Sequence, residues 1–170
     1  MVGELAADAR IEFAAIDRIA VTVGPGSFTG LRVGLAFAKG LSAALDRPCA
    51  GVDTLEALAT SVHAPGLIAC VIDAGRGNVY VQLFEDDTPL ADPAVIPHAR
   101  AVQSLALRQA SADLTIVGPG ARLFADLGPA FVHIDLAAPS PQAVARLGLR
   151  SPARPARPLY LRPPDVERSG

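Results

Sequence analysis

Between Thr29 and Leu45 the chain carries a helix that is apolar around most of its circumference, and no other feature constrains the fold as much. At about 100° per residue, one arc of this helix holds Gly30, Leu31, Gly34, Leu35, Ala38, Leu41 and Leu45. A second arc, nearly opposite, holds Val33, Ala36, Phe37, Gly40 and Ala44. Only Arg32 and Lys39, with Ser42 at the edge, form a polar stripe. A helix that covers one face of a sheet needs a single apolar stripe, so this one is expected to be buried on two sides. Gly30, Gly34 and Ala38 follow each other at intervals of four and form a flat ridge that another backbone can approach closely. Each glycine inside a helix costs about 1 kcal/mol relative to alanine, and close packing is the natural compensation. Burial between its own sheet and another part of its own chain would serve as well as a partner protein.

Around this helix, short strands alternate with helices. Arg18–Val23 is β-branched and apolar and reads as a buried strand. The turn Gly24-Pro25-Gly26-Ser27 follows it and leads into the helix, which Asp46-Arg47-Pro48 ends. Pro48–Val52 reads as a strand, and Asp53 with Glu56 three residues on reads as a capping box that opens a helix to about His63. Leu67–Ala74 and Val79–Glu85 read as a hairpin about the turn Gly75–Asn78. Ala101–Ala110 is expected to be helical, Leu114–Val117 a strand, and Gly118-Pro119-Gly120 a second glycine turn before a short helix through Asp126. Phe131–Ile134 and Pro141–Leu149 complete the pattern as strand and helix. The alternation predicts an α/β fold with a largely parallel sheet. From Ser151 onward, Pro152, Pro155, Pro158, Pro163 and Pro164 exclude regular helix and central strand, so residues 151–170 read as an extended tail on the surface.

The chemistry-bearing motifs are few. A strand, a glycine-rich loop and a helix are the general frame of a phosphate cradle. However, Gly24-Pro25-Gly26-Ser27-Phe28-Thr29-Gly30 matches neither glycine-rich phosphate signature, and Pro25 removes an N–H that a phosphate would use. Ser27 lacks the nucleophile-elbow spacing. His63, His98 and His133 are scattered without metal-ligand spacing. Asp53 is occupied as a cap and Asp73 reads as a turn residue. No nucleophile, base and orienting group assemble, so no catalytic residue and no metal ligand is assigned. Cys49 and Cys70 lie in apolar strand-like segments and read as reduced, buried thiols. The 170 residues suit one compact domain, or one domain and a small lobe, and carry a net charge of −2, which gives no basic face for autonomous nucleic-acid binding. No apolar run reaches membrane-spanning length and no signal pattern opens the chain, so a cytoplasmic protein is expected.

Four segments, in order, resemble the bacterial TsaB (YeaZ) family. Val21-Thr22-Val23-Gly24-Pro25-Gly26-Ser27-Phe28-Thr29-Gly30-Leu31-Arg32-Val33-Gly34 is similar to the family's hallmark segment, and Asp53-Thr54-Leu55-Glu56-Ala57-Leu58-Ala59 to its next block. Ile72-Asp73-Ala74-Gly75-Arg76-Gly77-Asn78-Val79-Tyr80-Val81 resembles its D-A-R-x-x-E-V-Y hairpin, with departures at Gly75 and Asn78. Pro158-Leu159-Tyr160-Leu161-Arg162-Pro163-Pro164 resembles its C-terminal signature.

The resemblance implies an actin-like ATPase (ASKHA, ribonuclease H-like) fold with the first lobe truncated at the N-terminus. Residues 1–52 would be the remainder of that lobe, 53–150 the second α/β lobe and 151–170 the proline-rich tail. The family's opening L-A-[IL]-D-T-[ST] strand and the two strands after it have no counterpart here, which would leave Arg18–Val23 with an exposed apolar edge. The implied role is that of a non-catalytic accessory subunit without cofactor. It would heterodimerise with a TsaD-like catalytic subunit and be joined by a TsaE-like ATPase, in making N6-threonylcarbamoyladenosine at adenosine 37 of tRNAs that read codons beginning with A. Contact with tRNA would be indirect and no membrane would be involved; a homodimer could form without the partner. The segment Thr29–Leu45 matches a docking helix, with Gly30, Leu31, Gly34, Leu35, Ala38, Leu41 and Leu45 as the expected interface. An M22-type metallopeptidase or a nucleotide-binding ATPase of the same fold is the enzymatic alternative.

Overall fold

The computed structural model describes residues 2–109, 113–150 and 154–161. The chain begins with a short helix α1 (Val2–Asp8) and a single 3-10 turn over Phe13–Ala15. Strand β1 (Ile19–Gly24) leads into helix α2 (Phe28–Leu45), and β2 (Cys49–Asp53) into α3 (Thr54–Thr60). The hairpin β3 (Leu67–Gly75) and β4 (Asn78–Glu85) comes next, followed by two short strands, β5 (Thr88–Pro89) and β6 (Ala94–Pro97). Helix α4 (His98–Gln109), strand β7 (Leu114–Val117), a 3-10 helix over Ala121–Leu127, strand β8 (Val132–Ile134) and helix α5 (Pro141–Gly148) close the order.

Two sheets result. β1 and β2 pair in parallel as a two-stranded sheet, and among the described residues the other edge of β1 has no strand partner. The larger sheet runs β5-β4-β3-β7-β8, with β6 also pairing β4. Within it β3 and β4 are antiparallel, while β7 lies parallel to β3 and β8 parallel to β7.

β3 explains why its sequence is an unbroken apolar run. Leu67, Ala69 and Val71 point to one face and pack with Ala101 and Leu105 of α4 and with Phe124. Ile68, Cys70 and Ile72 point to the other face and pack with Leu55 and Leu58 of α3 and with Phe84. Period-2 alternation is invisible in a strand that is buried on both sides.

The small sheet is likewise covered twice. Val21 and Val23 of β1 face α2 through Leu35, whereas Ala20 faces α5 with Val52, Ala57 and Leu147. α3 joins the two sheets, because Leu55 and Leu58 belong to the core of the large sheet and Ala57 to that under α5. The described part of the proline-rich tail returns onto the small sheet. Pro155 bridges Ala50, the Leu159 amide donates to the Val23 carbonyl at 2.8 Å, and Ala156 is buried with Val23 and Leu35. The tail lies on the surface as its prolines imply, and of its described residues only Ala156 is buried. Proline forbids regular structure but not packing, and here the tail supplies apolar groups that the two-stranded sheet lacks.

β5 and β6 are not legible as strands in the sequence. Each is short, and both are held by pairing to β4 rather than by their own pattern.

Candidate functional site: the outward face of helix α2

Ser27 caps α2 by accepting from the Gly30 amide at 3.3 Å, and its carbonyl accepts from Leu31. The glycine turn ahead of it therefore ends in a helix cap. Gly24 has φ +123, and a Cβ there would lie 2.6 Å from the Leu159 carbonyl oxygen, so only glycine lets β1 turn beneath the tail. The helix ends at Asp46, which is in the left-handed conformation.

The seven residues expected at a partner interface lie mainly on the inward side. Leu35 and Ala38 are 4% and 5% exposed against the chain's own sheet. A Cβ on Gly34 would sit 4.0 Å from Val21 Cγ2, so this glycine also faces β1. Leu31, Leu41 and Leu45 are half-buried, and Gly30 is exposed beside its Ser27 cap. Gly34 and Ala38 thus let β1 approach from within the same chain, and Gly30 lies outside that contact.

The opposite arc is open. Val33 is 65% and Phe37 56% exposed, and Ala36, Gly40 and Ala44 are exposed between them. A Cβ on Gly40 would meet nothing within 4 Å. Ala36, Gly40 and Ala44 repeat at intervals of four, so this face has its own small-residue ridge, flanked by two large apolar side chains. The partner interface expected from the sequence is the other arc, the one that the chain's own sheet covers. Only the fold shows which one the sheet occupies.

A clasp at the start of α2 extends this surface. The Phe28 and Tyr160 rings lie 5.4 Å apart, the Arg32 guanidinium sits 3.8 Å from the centre of the Phe28 ring, and Arg32 Nε donates to the Tyr160 hydroxyl at 3.3 Å. The tail is thereby tied to the helix by stacking, cation–π attraction and one hydrogen bond. Tyr160, the single tyrosine of the tail, carries no signal for this contact in the sequence.

Asp53, Asp73 and His98, singled out from the sequence, have structural tasks. Asp53 Oδ1 accepts from the amides of Leu55 and Glu56 at 2.8 and 3.3 Å and caps α3, while Oδ2 lies 3.6 Å from Arg154. Burial raises this carboxyl above its ordinary range, against the opposing effect of the two amides and Arg154. Glu56 pairs with Arg150 instead of completing the capping box. Asp73 accepts from the Gly75 amide at 2.7 Å, a turn bond. His98 Nε2 lies 2.8 Å from the Leu123 carbonyl oxygen and its ring meets Phe124 edge-on. Burial also pushes the Cys70 thiol up, away from the reactive thiolate. Among the described residues no group of three or more His, Cys, Asp or Glu side chains is placed to hold a metal ion. No described helix is long and apolar enough to cross a membrane.

Two covered sheets joined by a helix, with an open apolar helix face on the smaller one, place the molecule in the actin-like ATPase class of α/β folds. The family model described as "TsaD: tRNA N6-adenosine threonylcarbamoyltransferase" matches residues 1–151. A solved Pseudomonas aeruginosa structure, described as an uncharacterized protein with similarity to peptidase YEAZ, superposes with a TM-score of 0.79 at 28% identity, covering 95% of this chain and 81% of that one. The tRNA threonylcarbamoyladenosine biosynthesis protein TsaB of Bacillus subtilis is 42% identical over 81 residues, 47% of this chain and 35% of that protein. An uncharacterized protein of Mycobacterium bovis is 35% identical over 162 residues, 95% of this chain and 71% of that protein. The chain belongs to the TsaD family and, within it, to the TsaB (YeaZ) group. Its match spans about a third of the length of the B. subtilis TsaB.

Proposed function

We propose that the chain is a non-catalytic subunit that heterodimerises with a TsaD-like catalytic partner and so supports N6-threonylcarbamoyladenosine formation at adenosine 37 of tRNAs reading codons that begin with A. The reading is carried by the exposed apolar arc of α2, Val33, Ala36, Phe37, Gly40 and Ala44, which has the large-and-small relief that helix-to-helix docking uses. The expected interface residues are reassigned accordingly. Leu35 and Ala38, with Gly34, hold α2 on its own sheet, and the partner takes the other side. Gly30, Leu31, Leu41 and Leu45 border the docking face.

The size of this arc limits its role. An 18-residue helix is about 27 Å long at 1.5 Å per residue, and a stripe ~10 Å wide covers roughly 270 Å². A stable interface needs about 800 Å² per partner, so the partner must reach beyond the arc. Phe28 and Tyr160, both exposed at the start of α2, continue it. In this scheme residues 1–52 form the docking lobe, 53–150 the second lobe and 151–170 the proline-rich tail, whose described part, residues 154–161, braces the first lobe. A TsaE-like ATPase joins the pair, tRNA is contacted only through the partner, and the protein works in the cytoplasm.

The test is affinity for a TsaD-like protein measured by calorimetry with the full chain and with Phe37→Glu. A charge placed in the centre of the arc is expected to abolish binding while the isolated chain melts unchanged. Undiminished binding would remove the docking assignment. Self-association is a second reading, favoured by the same uncovered arc. Light scattering without partner distinguishes it, because a homodimer built on α2 must dissociate in the Phe37→Glu variant. The enzymatic alternative, an M22-type metallopeptidase or ATPase, requires the isolated chain to bind metal or ATP stoichiometrically, which the same calorimeter reads.

A further inference from the structure

The outward face of α2 carries a charge as well as an apolar centre. At about 100° per residue, Val33, Ala36, Gly40 and Ala44 form its middle, and its two long edges differ. Phe37 stands on one edge with Gly30, whereas Arg32 and Lys39 share the other. Both cations are exposed, and among the described residues neither forms an ion pair. The helix itself, Phe28–Leu45, contains no acidic residue, and Asp46 beyond it serves as the C-cap. Arg32 is also oriented in advance. Its guanidinium lies 3.8 Å from the centre of the Phe28 ring, and Nε donates to the Tyr160 hydroxyl at 3.3 Å. The two terminal nitrogens are left for a carboxylate, and a guanidinium already held in place loses less freedom on binding one.

These charges discriminate between occupants of the face. A second copy packed antiparallel and crossing between Ala36 and Gly40 sets Lys39 beside Lys39 or Arg32 of the other copy, cation against cation. A second copy packed parallel sets the cationic edge against the Phe37 edge, which holds no carboxylate. An anionic membrane would match the charge, but Ala36, Gly40 and Ala44 bury little apolar surface in lipid. A ridge of small residues serves the close approach of another helix instead.

We propose that α2 receives a helix of the TsaD-like partner that carries two carboxylates along one edge, one for Arg32 and one for Lys39. Seven residues at 1.5 Å set the two cations about 10.5 Å apart along the axis, and the carboxylates of the matching helix are spaced alike, about two turns apart. This charge match rests on the docking reading above and adds the sign that the partner must carry. It also makes the face select a foreign helix over a second copy of the chain.

The test is calorimetry of the full chain with a TsaD-like protein at about 0.1 M and about 1 M NaCl, between which the screening length falls from about 10 Å to about 3 Å. Lys39 is exposed, and Lys39→Gln and Lys39→Glu should melt as the parent does. Exposed ion pairs are worth up to about fivefold each, so at the lower salt Lys39→Gln should weaken the complex about threefold. Lys39→Glu replaces attraction by repulsion and should weaken it about tenfold. At the higher salt the three proteins should bind alike. Equal binding of the parent and Lys39→Glu at the lower salt would overturn the charge match alone, since loss of binding in Phe37→Glu would still uphold the docking face. A tenfold loss in Lys39→Glu that persists at the higher salt would overturn it as well, because a steric effect is not screened. Absence of binding by the parent at either salt would overturn the charge match and the docking reading together. A parent chain that dimerises in light scattering at lower concentration than it binds the partner would assign the face to a second copy. Retention on vesicles of equal parts phosphatidylglycerol and phosphatidylcholine, abolished by Phe37→Glu, would assign it to a membrane, and either result would overturn the proposal.

Discussion

Substitutions on the two sides of α2 should separate folding from docking. Gly34 faces β1, and a Cβ there finds Val21 Cγ2 at 4.0 Å, an ordinary contact distance. Gly34→Ala should therefore fit and stabilise the chain by up to about 1 kcal/mol through helix propensity. Gly34→Leu adds three further carbons in the direction of Val21, and overpacking of this kind costs about 1–3 kcal/mol. The sign of the effect should thus reverse between alanine and leucine. Phe37, on the other side, is 56% exposed. Taking about 200 Å² for the whole side chain, roughly 110 Å² is free to be covered. At about 25 cal/mol per Å² this is worth up to about 2.8 kcal/mol in a complex, or about a hundredfold in Kd. Phe37→Ala should accordingly leave the urea midpoint of the isolated chain nearly unchanged and weaken binding of a TsaD-like protein by ten- to a hundredfold. Urea unfolding monitored by far-UV circular dichroism and calorimetry with the partner give the two readouts. A Phe37→Ala chain that unfolds earlier but binds normally would refute the assignment of faces, as would a Gly34→Leu chain of undiminished stability that no longer binds.

Other consequences follow from the packing around α2. A Cβ on Gly148 of α5 would overlap the Ala20 side chain on β1, so Gly148→Ala should cost about 1–3 kcal/mol. Ala20→Gly in the same chain should recover part of that loss, which a double-mutant cycle in urea reads as a coupling between the two positions. Tyr160→Ala removes both the ring on Phe28 and the hydroxyl that accepts from Arg32; the Leu159 amide, bonded to Val23, should then exchange its hydrogen faster. Burial raises the Asp53 carboxyl, so the folded chain holds this proton more tightly than the unfolded one. Stability attributable to Asp53 is present below the unfolded value of about 3.9 and is lost as pH rises through the higher folded value. Asp53→Asn retains capping ability, and its stability relative to the parent should improve between pH 3 and pH 7; an equal difference at both pH values would contradict the burial argument.

Much of this architecture can be read from residue patterns. The unbroken apolar run Leu67–Ile72 becomes a strand buried on both faces, and Asp53 becomes the cap that its spacing announces. The all-round apolarity of α2 predicts burial on two sides, whereas the chain itself buries only the side of Leu35 and Ala38 and leaves Val33 and Phe37 in solvent. What the pattern does not carry is direction. Two small-residue ridges of equal spacing, Gly30-Gly34-Ala38 and Ala36-Gly40-Ala44, lie on opposite sides, and periodicity alone cannot tell which meets Val21. For a related reason the pattern does not announce how the tail is anchored. Its prolines specify what it does not form, whereas the burial of Ala156 depends on partners more than a hundred residues away in sequence. β5 and β6 are two and four residues long and owe their pairing to β4, so no local signal marks them.

Site-specific photocrosslinking tests the central claim most directly. With p-benzoylphenylalanine in place of Phe37, irradiation of the chain with a TsaD-like protein should give a covalent heterodimer. The same group in place of Leu107, which is 77% exposed on α4, should give none. No adduct from position 37, or equal yield from both positions, would mean that the outward face of α2 is not where the partner binds.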